Sequence, residues 1–554
     1  MFPTLVSSFR PLVSCLRKPP AYAWAIFGLS LAIPLFFVFT TNQIWEDFFI
    51  TYRFSENLAR GHGLVYSVGE RVHGFTSPLN VLLPALFAWL TGARDFLVPL
   101  WLYRMVSLAG LLFALLSITS VLTRGHASSR AALLASLFFP IVAVLEIKTT
   151  AFALDGQEAG LVLGFLGPAF ALACLGWPAH YRLGGVFWAG LMYSRPDAFI
   201  YIAALAVAAI AFEPASRRTL GVALFKSGLI CAALYLPWLL FAWGYYGSPI
   251  PHTVVAKFGI EAYDRTTFGL LAPLAAGLKK APDVLCWTLS PIYDLLDAGP
   301  GTWPRWMHDG AFALALAAVV YWVVPTRDRV GRMASLAAFL LCGYLVYVST
   351  VGQYSPWYYP PLAFLCLLTL VSAIAHLMQN GQSRRVASSA GLLLLSGLLG
   401  LLLFEFSSSL RPLRFKQNVI EWGHRRVIGL WLKDHVAQGE AVYLEPLGYI
   451  GYFSQCRMLD WPGLVSPEVV AVRRKLSIKT GYTWLEVARA LKPAWIVARR
   501  KEAEAMQNSG LLRDYELERI FDVDDQITAA GQVPGMRMIY AESSFGVLHR
   551  RKPE

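Results

Sequence analysis

Charge is scarce in this 554-residue chain: Asp, Glu, Lys and Arg make up 15% of it, against 56% hydrophobic residues. A soluble domain of that composition would lack the polar surface to cover itself, so most of the chain must face lipid or other helices. Cysteine is scarce as well, with seven residues, no CxxC pair and no Cys/His cluster at metal-ligand spacing. Cys174, Cys231, Cys342 and Cys366 lie in apolar runs and read as small buried hydrophobes, whereas Cys286 and Cys456 fall where a disulfide is chemically allowed. No long-period internal repeat is visible, which removes support for a transporter built from two related halves. Nor is there a basic patch. The net charge of +13 is spread over short loops between apolar runs, the pattern of a bilayer protein, and excludes nucleic acid as a partner. Apolar and aromatic residues are plentiful. Mean hydropathy is +0.50, and 18 Trp with 24 Tyr fit two wide membrane–water interfaces.

The first apolar run, Ala21 to Thr40, follows Arg10, Arg17 and Lys18 and is long enough to span. No small-residue cleavage site follows it, so an uncleaved span is expected, with the N-terminus in the cytoplasm. Further runs lie at Pro99–Thr123, Ala131–Leu145, Gly160–Trp177, Leu183–Tyr193, Ala198–Phe212, Leu220–Trp243, Ala311–Val324, Ala334–Val351, Trp357–Leu377 and Ala390–Phe404. Roughly eleven transmembrane helices are therefore expected. Alternating them places Arg124/Arg130, Arg182, Arg217/Arg218, Arg327/Arg329/Arg332 and Arg384/Arg385 inside. The outside loops then hold Glu46, Asp47, Asp155, Glu158, Asp283, Asp294 and Asp297. Leu79–Leu90 would invert every later loop if it crossed, so it reads as a helix lying at the outer surface.

After Phe404 charged and apolar stretches alternate and no further span appears. Ala441–Glu445, Arg457–Asp460 and Ala494–Ala498 read as short strands, and Glu421–Val436 and Trp484–Leu491 as helices. The expected architecture is a polytopic α-helical membrane domain (residues 1–406) followed by a soluble, non-cytoplasmic α/β domain (407–554).

The densest polar stretch of the membrane half is the first outer loop, within residues 41–98. Trp45-Glu46-Asp47 opens a helix that Gly61-His62-Gly63 ends. On that helix Glu46, Ile50, Arg53 and Asn57 share one face, and Asp47 lies one position around. Two adjacent acids outside a span can deprotonate a hydroxyl or hold a divalent cation. They can equally do no more than complement the helix dipole.

The loop carries a resemblance. Glu46-Asp47-Phe-Phe-Ile-Thr-Tyr-Arg53, Asn57 to Tyr66 and Gly69 to Pro78 resemble the opening loop of a bacterial family of membrane glycosyltransferases. That family includes the mycobacterial terminal arabinofuranosyltransferases and belongs to the wider C-type (GT-C) fold, which also contains the aminoarabinose and protein mannosyl transferases. Asp155-Gly-Gln-Glu158, Ser194-Arg195-Pro196-Asp197 and Tyr245 to Lys257 follow in the family's order. So do Leu447-Gly-Tyr-Ile-Gly-Tyr452 and Leu459-Asp-Trp-Pro-Gly-Leu464. Glu46 departs from the usual Asp-Asp pair, Asp155 from a usual Ser or Thr, and His252 from a usual Asn.

The resemblance implies sugar transfer from a polyprenyl-phosphate donor to a cell-envelope glycan or lipid acceptor, with inversion, on the outer side of the bacterial inner membrane. Asp47 or Glu46 would be the base. Arg53, Arg195, His252 and Lys257 are candidates for the departing phosphate, and Asp155, Glu158, Asp197, Arg71 and His73 for the substrate. The resemblance fixes no cofactor and leaves a divalent cation open. Arg195 and Asp197 can also simply pair across a proline break, and His252 and Lys257 can snorkel. Tyr354, Trp357 and Tyr358 read as an aromatic belt. A lipid-linked glycan flippase or a non-catalytic assembly subunit is the rival reading.

Overall fold

The computed structural model describes residues 21–92, 95–124, 130–257, 272–292, 303–351, 355–380, 384–476, 482–531 and 541–552. Arg10, Arg17, Lys18, Asp294, Asp297 and Tyr354 lie outside the described residues.

Among the described residues, eight helices are long and apolar enough to cross a membrane, and a bent pair, Ala131–Leu145 with Ile147–Leu154, makes a ninth. One of the eight, Ala159–Ser194, has 36 residues. As a single straight helix it would put its ends ~54 Å apart. The ends meet instead, because Glu158 before it and Arg195 after it pair at 2.8 Å. The chain reverses at Gly176, whose φ of 108° and ψ of 92° interrupt the helix, a conformation that a side chain would strain. The segment is thus two antiparallel crossings, as the apolar runs predict. Ala198–Phe212 runs from Asp197, beside Arg195, to Glu213, whose carboxylate accepts the Trp177 backbone N–H at the reversal (3.0 Å). It therefore also crosses, and the eleven expected crossings are recovered.

The bent pair turns by 63° at Glu146. The Glu146 carboxylate caps the second helix by accepting the N–H groups of Lys148 (3.2 Å) and Thr149 (2.7 Å), and it pairs with the buried Lys148 ammonium at 3.0 Å. The bend is thereby satisfied internally, as a bilayer demands. Pro78–Thr91 begins at Ser77, whose hydroxyl caps it by accepting the Asn80 N–H. Its two ends stay on one side, since Ser77 lines the same cavity as Asp47 and the Asp95 carbonyl beyond its end accepts from the Tyr52 hydroxyl of the first-loop helix, which fits the surface helix expected there. Ala272–Thr288, expected as outer loop, is a helix packed on Arg305–Val320 and Arg329–Val351. Cys286 lies beside His308 (3.6 Å) and Cys456 beside the Leu432 carbonyl, so the two do not pair.

The last crossing, Arg384–Phe415, continues through a π-helical turn, Lys416–Arg425, into Arg426–His435. The boundary expected at residue 406 therefore falls inside a continuous helix. Beyond it five strands form one sheet in the order β2-β1-β3-β5-β4. These are β1 (Ala441–Leu444), β2 (Arg457–Asp460), β3 (Trp495–Arg499), β4 (Tyr515–Asp522) and β5 (Ser544–Arg550). β1 pairs in parallel with β2 and β3, whereas β5 pairs antiparallel with β3 and β4. The first three are the expected strands.

The domain built on this sheet packs onto the loop that follows the first crossing. Ile50, Phe54, Tyr66 and Phe75 share a core with Tyr235 and Trp238 of a crossing helix and with Leu447, Ile450 and Val497 of the soluble domain. Phe49 adds a ring contact to Tyr449, with centroids 4.4 Å apart. Gly448 and Gly451 allow this approach, since a Cβ on either would strike the Glu46 backbone or the Tyr66 hydroxyl.

Candidate active site

The first-loop helix Glu46–Ala59 sends its two leading acids in different directions. Successive residues on a helix are turned by about 100°. Glu46 faces the soluble domain, where its carboxylate accepts from Arg425 (2.5 Å) and from the Gly448 N–H (3.1 Å). Burial raises the Glu46 carboxyl above the ordinary range, and crowding by Glu421, Glu542 and Glu445 adds to this while Arg425 opposes it. Asp47 instead faces a cavity of about 280 Å³, together with Ile50 and Thr51 from the next turn. Burial raises the Asp47 carboxyl as well, against the pull of Lys257 and Lys416. A base with a raised pKa is more proton-hungry than a free carboxylate, which suits it to a hydroxyl.

The cavity is also lined by Glu158, Arg195, Asp197 and Lys257, with Tyr344, Trp357 and Tyr358. Arg195 is 5% exposed. It holds Asp197 in a two-pronged contact (Nε–Oδ1 2.9 Å, Nη2–Oδ2 3.1 Å) and Glu158 through Nη1. Its guanidinium also lies 4.2 Å from the Tyr358 ring centroid, and the Tyr344 hydroxyl donates to Asp197 Oδ2 (2.7 Å). Three of its five N–H groups are used in this network and two are not. Lys257 ends the helix His252–Lys257 and sits 5.7 Å from the Trp357 ring centroid. Among the described residues no carboxylate pairs with it. Also among them, no group of three or more His, Cys, Asp or Glu is placed to hold a metal ion.

Six of the residues singled out from sequence do not line this cavity. Glu46 anchors the soluble domain. Arg53 clasps it by donating to the carbonyls of Gly451 (2.7 Å), Gln455 (3.2 Å) and Cys456 (3.0 Å), and its guanidinium covers the Tyr66 ring at 4.3 Å. Asp155 is fully buried behind the cavity; its carboxylate accepts the Gln157 N–H and its carbonyl accepts the Trp45 N–H. His73 stacks on Tyr246 (4.6 Å), and burial lowers its imidazole pKa to about 4. The His252 N–H donates to the His73 carbonyl (2.8 Å). Arg71 covers Tyr245 (4.7 Å). These six positions lie outside the cavity, and Glu46, Arg53, His73 and Arg71 make their side-chain contacts with residues distant in sequence.

Sequence reading missed Thr51, Asn80, Gln157 and Tyr344 as lining residues, and Lys416 and Arg425 as charges behind the two acids. Asn80 follows the Gly69–Pro78 motif closely enough to have been included. Tyr344 carried no local signal inside an apolar run. Leu464, in the Leu459–Leu464 motif, reaches the cavity because Asp460 accepts the N–H groups of Gly463, Leu464 and Val465 and shapes that turn.

A family described as "Domain of unknown function (DUF8728)" matches residues 415–539. The terminal beta-(1->2)-arabinofuranosyltransferase of Corynebacterium glutamicum is 29% identical over 249 residues, 40% of this chain and 34% of that protein. Its counterpart in Mycobacterium tuberculosis is 29% identical over 231 residues, 39% of this chain and 35% of that protein. The matched part is about a third of each relative's length. The crystal structure of ArnT from Cupriavidus metallidurans bound to undecaprenyl phosphate has a TM-score of 0.53 at 11% identity, covering 97% of this chain and 100% of that one. The apo state of the same protein scores 0.50 at 12% identity, covering 96% and 99%. The chain is a polytopic membrane protein of the C-type glycosyltransferase fold, similar in sequence to terminal arabinofuranosyltransferases.

Proposed function

We propose that this protein is a glycosyltransferase that moves a sugar from a polyprenyl-phosphate donor to a glycan or lipid acceptor, with Asp47 as the base. The observation that carries this reading is one cavity lined by both Asp47 and the cations Lys257 and Arg195. Transfer from a lipid phosphate needs those two functions, because phosphate is already a good leaving group. Asp47 takes the proton of the acceptor hydroxyl as its oxygen bonds to the anomeric carbon. The bond from that carbon to the phosphate oxygen breaks on the opposite side, and the configuration inverts. The released phosphate carries its electron pair toward Lys257, which makes no ion pair among the described residues, and toward the two remaining N–H groups of Arg195. Tyr358 and Trp357 offer faces for the sugar or the first isoprene units.

The side of the membrane follows from charge. Arg329 donates to the Ala173 carbonyl beside the Gly176 reversal (3.2 Å), and Arg332 lies 4.5 Å from the Phe212 ring centroid. The loop that carries Arg327, Arg329 and Arg332 therefore lies at the end of the crossings away from the cavity, and the positive-inside rule favours a cytoplasmic side for it; in this reading the membrane is the inner membrane of a bacterium. The cavity and the soluble domain then face the periplasm. Arabinofuranose is the first donor to test, given the sequence relatives. Detergent-purified protein is expected to release polyprenyl phosphate and glycosylate an acceptor from a panel of polyprenyl-phosphate sugars. Lipid binding by native protein without turnover of any donor would overturn the reading in favour of a flippase or scaffold.

A further inference from the structure

The soluble domain holds a second cavity, of about 510 Å³, which shares no lining residue with the first. Its charged walls are Glu445, Glu486, Glu502, Glu542, Arg499 and Lys501. Arg499 alone serves three of these acids: Glu445, Glu502 (3.0 Å) and Glu542 (2.9 Å). Carboxylates therefore outnumber cations, and a phosphate or carboxylate ligand would meet net repulsion. A neutral polyhydroxyl compound would not, and it could bond to both the acceptors and the donors of this wall. Tyr482, 53% exposed, supplies an aromatic surface. Its ring is held edge-on to Trp461 (centroids 4.4 Å apart) and its hydroxyl donates to Glu502. Trp484 also lines the cavity, and its buried indole N–H has no acceptor among the described residues. Aromatic rings beside fixed carboxylates form a surface suited to the C–H face and the hydroxyls of a sugar.

This cavity is mechanically joined to the catalytic helix. Glu445 directly precedes Pro446 and the helix Leu447–Ser454, whose Gly448 N–H meets Glu46. A chain of ion pairs runs in parallel from Glu445 through Arg499, Glu542 and Arg425 to Glu46, the neighbour of Asp47.

We propose that the soluble-domain cavity binds a neutral saccharide segment of the acceptor glycan. The inference rests on the transferase reading for its purpose, but not for its ligand class. The test uses the full chain in nanodiscs, titrated with uncharged tetrasaccharides of arabinofuranose, mannose and galactose, with binding read by calorimetry and saturation-transfer NMR. Saturable binding of at least one is expected, weakened about tenfold or more by Tyr482→Ala and by Glu486→Gln, and unchanged in Asp47→Asn. In transfer assays the same two variants should raise the acceptor KM and leave the donor KM alone. Absence of saturable binding to native protein overturns the inference, as does unchanged affinity in both variants. Transfer without binding rejects this inference alone, whereas binding without transfer rejects the transferase reading and leaves the saccharide site standing.

Discussion

Glu158 and Arg195 meet at 2.8 Å although 36 residues of helix lie between them. Both are nearly buried, and the pair closes an antiparallel pair of crossings at the end where Asp197 and Tyr344 complete the network. Breaking a buried pair leaves an uncompensated charge and costs about 3–5 kcal/mol. Arg195→Ala is expected to lower the thermal unfolding temperature in detergent and to abolish transfer. Arg195→Lys keeps the charge but not the fork, and should recover stability only in part. Native-like melting of Arg195→Ala would show that the pair does not hold the two crossings together.

Asp47→Asn should reduce kcat by about 10²–10⁴-fold, the usual contribution of a general base, with little change in melting. Glu46→Gln removes an anchor and should act more on stability than on kcat, because Glu46 bonds to Arg425 and Gly448 outside the cavity. The two variants assayed side by side decide which acid is the base. Greater loss of kcat in Glu46→Gln would reverse the assignment.

The pH profile follows from the direction of the Asp47 shift. The base works ionised, and burial raises its carboxyl. Activity is therefore lost as pH falls through a pKa above that of a free aspartate. The acid limb of kcat/KM should titrate higher than for an exposed carboxylate and disappear from the residual activity of Asp47→Asn.

Lys257→Met should raise the donor KM by about 10- to 100-fold, since a hydrogen bond to a charged group contributes about 1.5–3 kcal/mol. Melting should not change, because Lys257 makes no ion pair among the described residues. Lys257→Arg should restore much of the donor affinity. An unchanged donor KM would remove Lys257 from the phosphate site.

His73 gives stability its own pH dependence. Its folded pKa is lowered to about 4 from 6.5 by burial. The unfolded chain therefore binds more protons between those values, and this contribution to stability is present above pH 6.5 and lost as pH falls through about 4. His73→Phe should flatten the melting temperature between pH 6.5 and pH 4 relative to native protein.

Eleven crossings were legible in the sequence because apolar length and loop charge are local properties, set by the bilayer rather than by distant contacts. So was the first-loop helix, with its acids in the first turn and its glycine end at Gly61 to Gly63, where the His62 N–H bonds to the Asn57 carbonyl. β4 was not legible: the apolar alternation of Tyr515 and Leu517 breaks off at Arg519, where the pairing register shifts, and its residues from Glu516 to Ile520 are exposed. Its pairing with β5 makes it a strand.

The sequence alone determined that this chain crosses a membrane many times, carries acids in the loop after its first crossing, and has an α/β domain after its last. It also placed Asp47, Glu158, Arg195, Asp197 and Lys257 as candidates without saying which would meet. Tertiary structure decided that these five share one cavity, while Arg53, His73, Asp155 and His252 lie outside it. It also separated Glu46 from Asp47. The physical reason is range: helical rotation and hydropathy act over a few residues, but the partners that orient a charge here are up to several hundred residues away, as Arg425 is from Glu46.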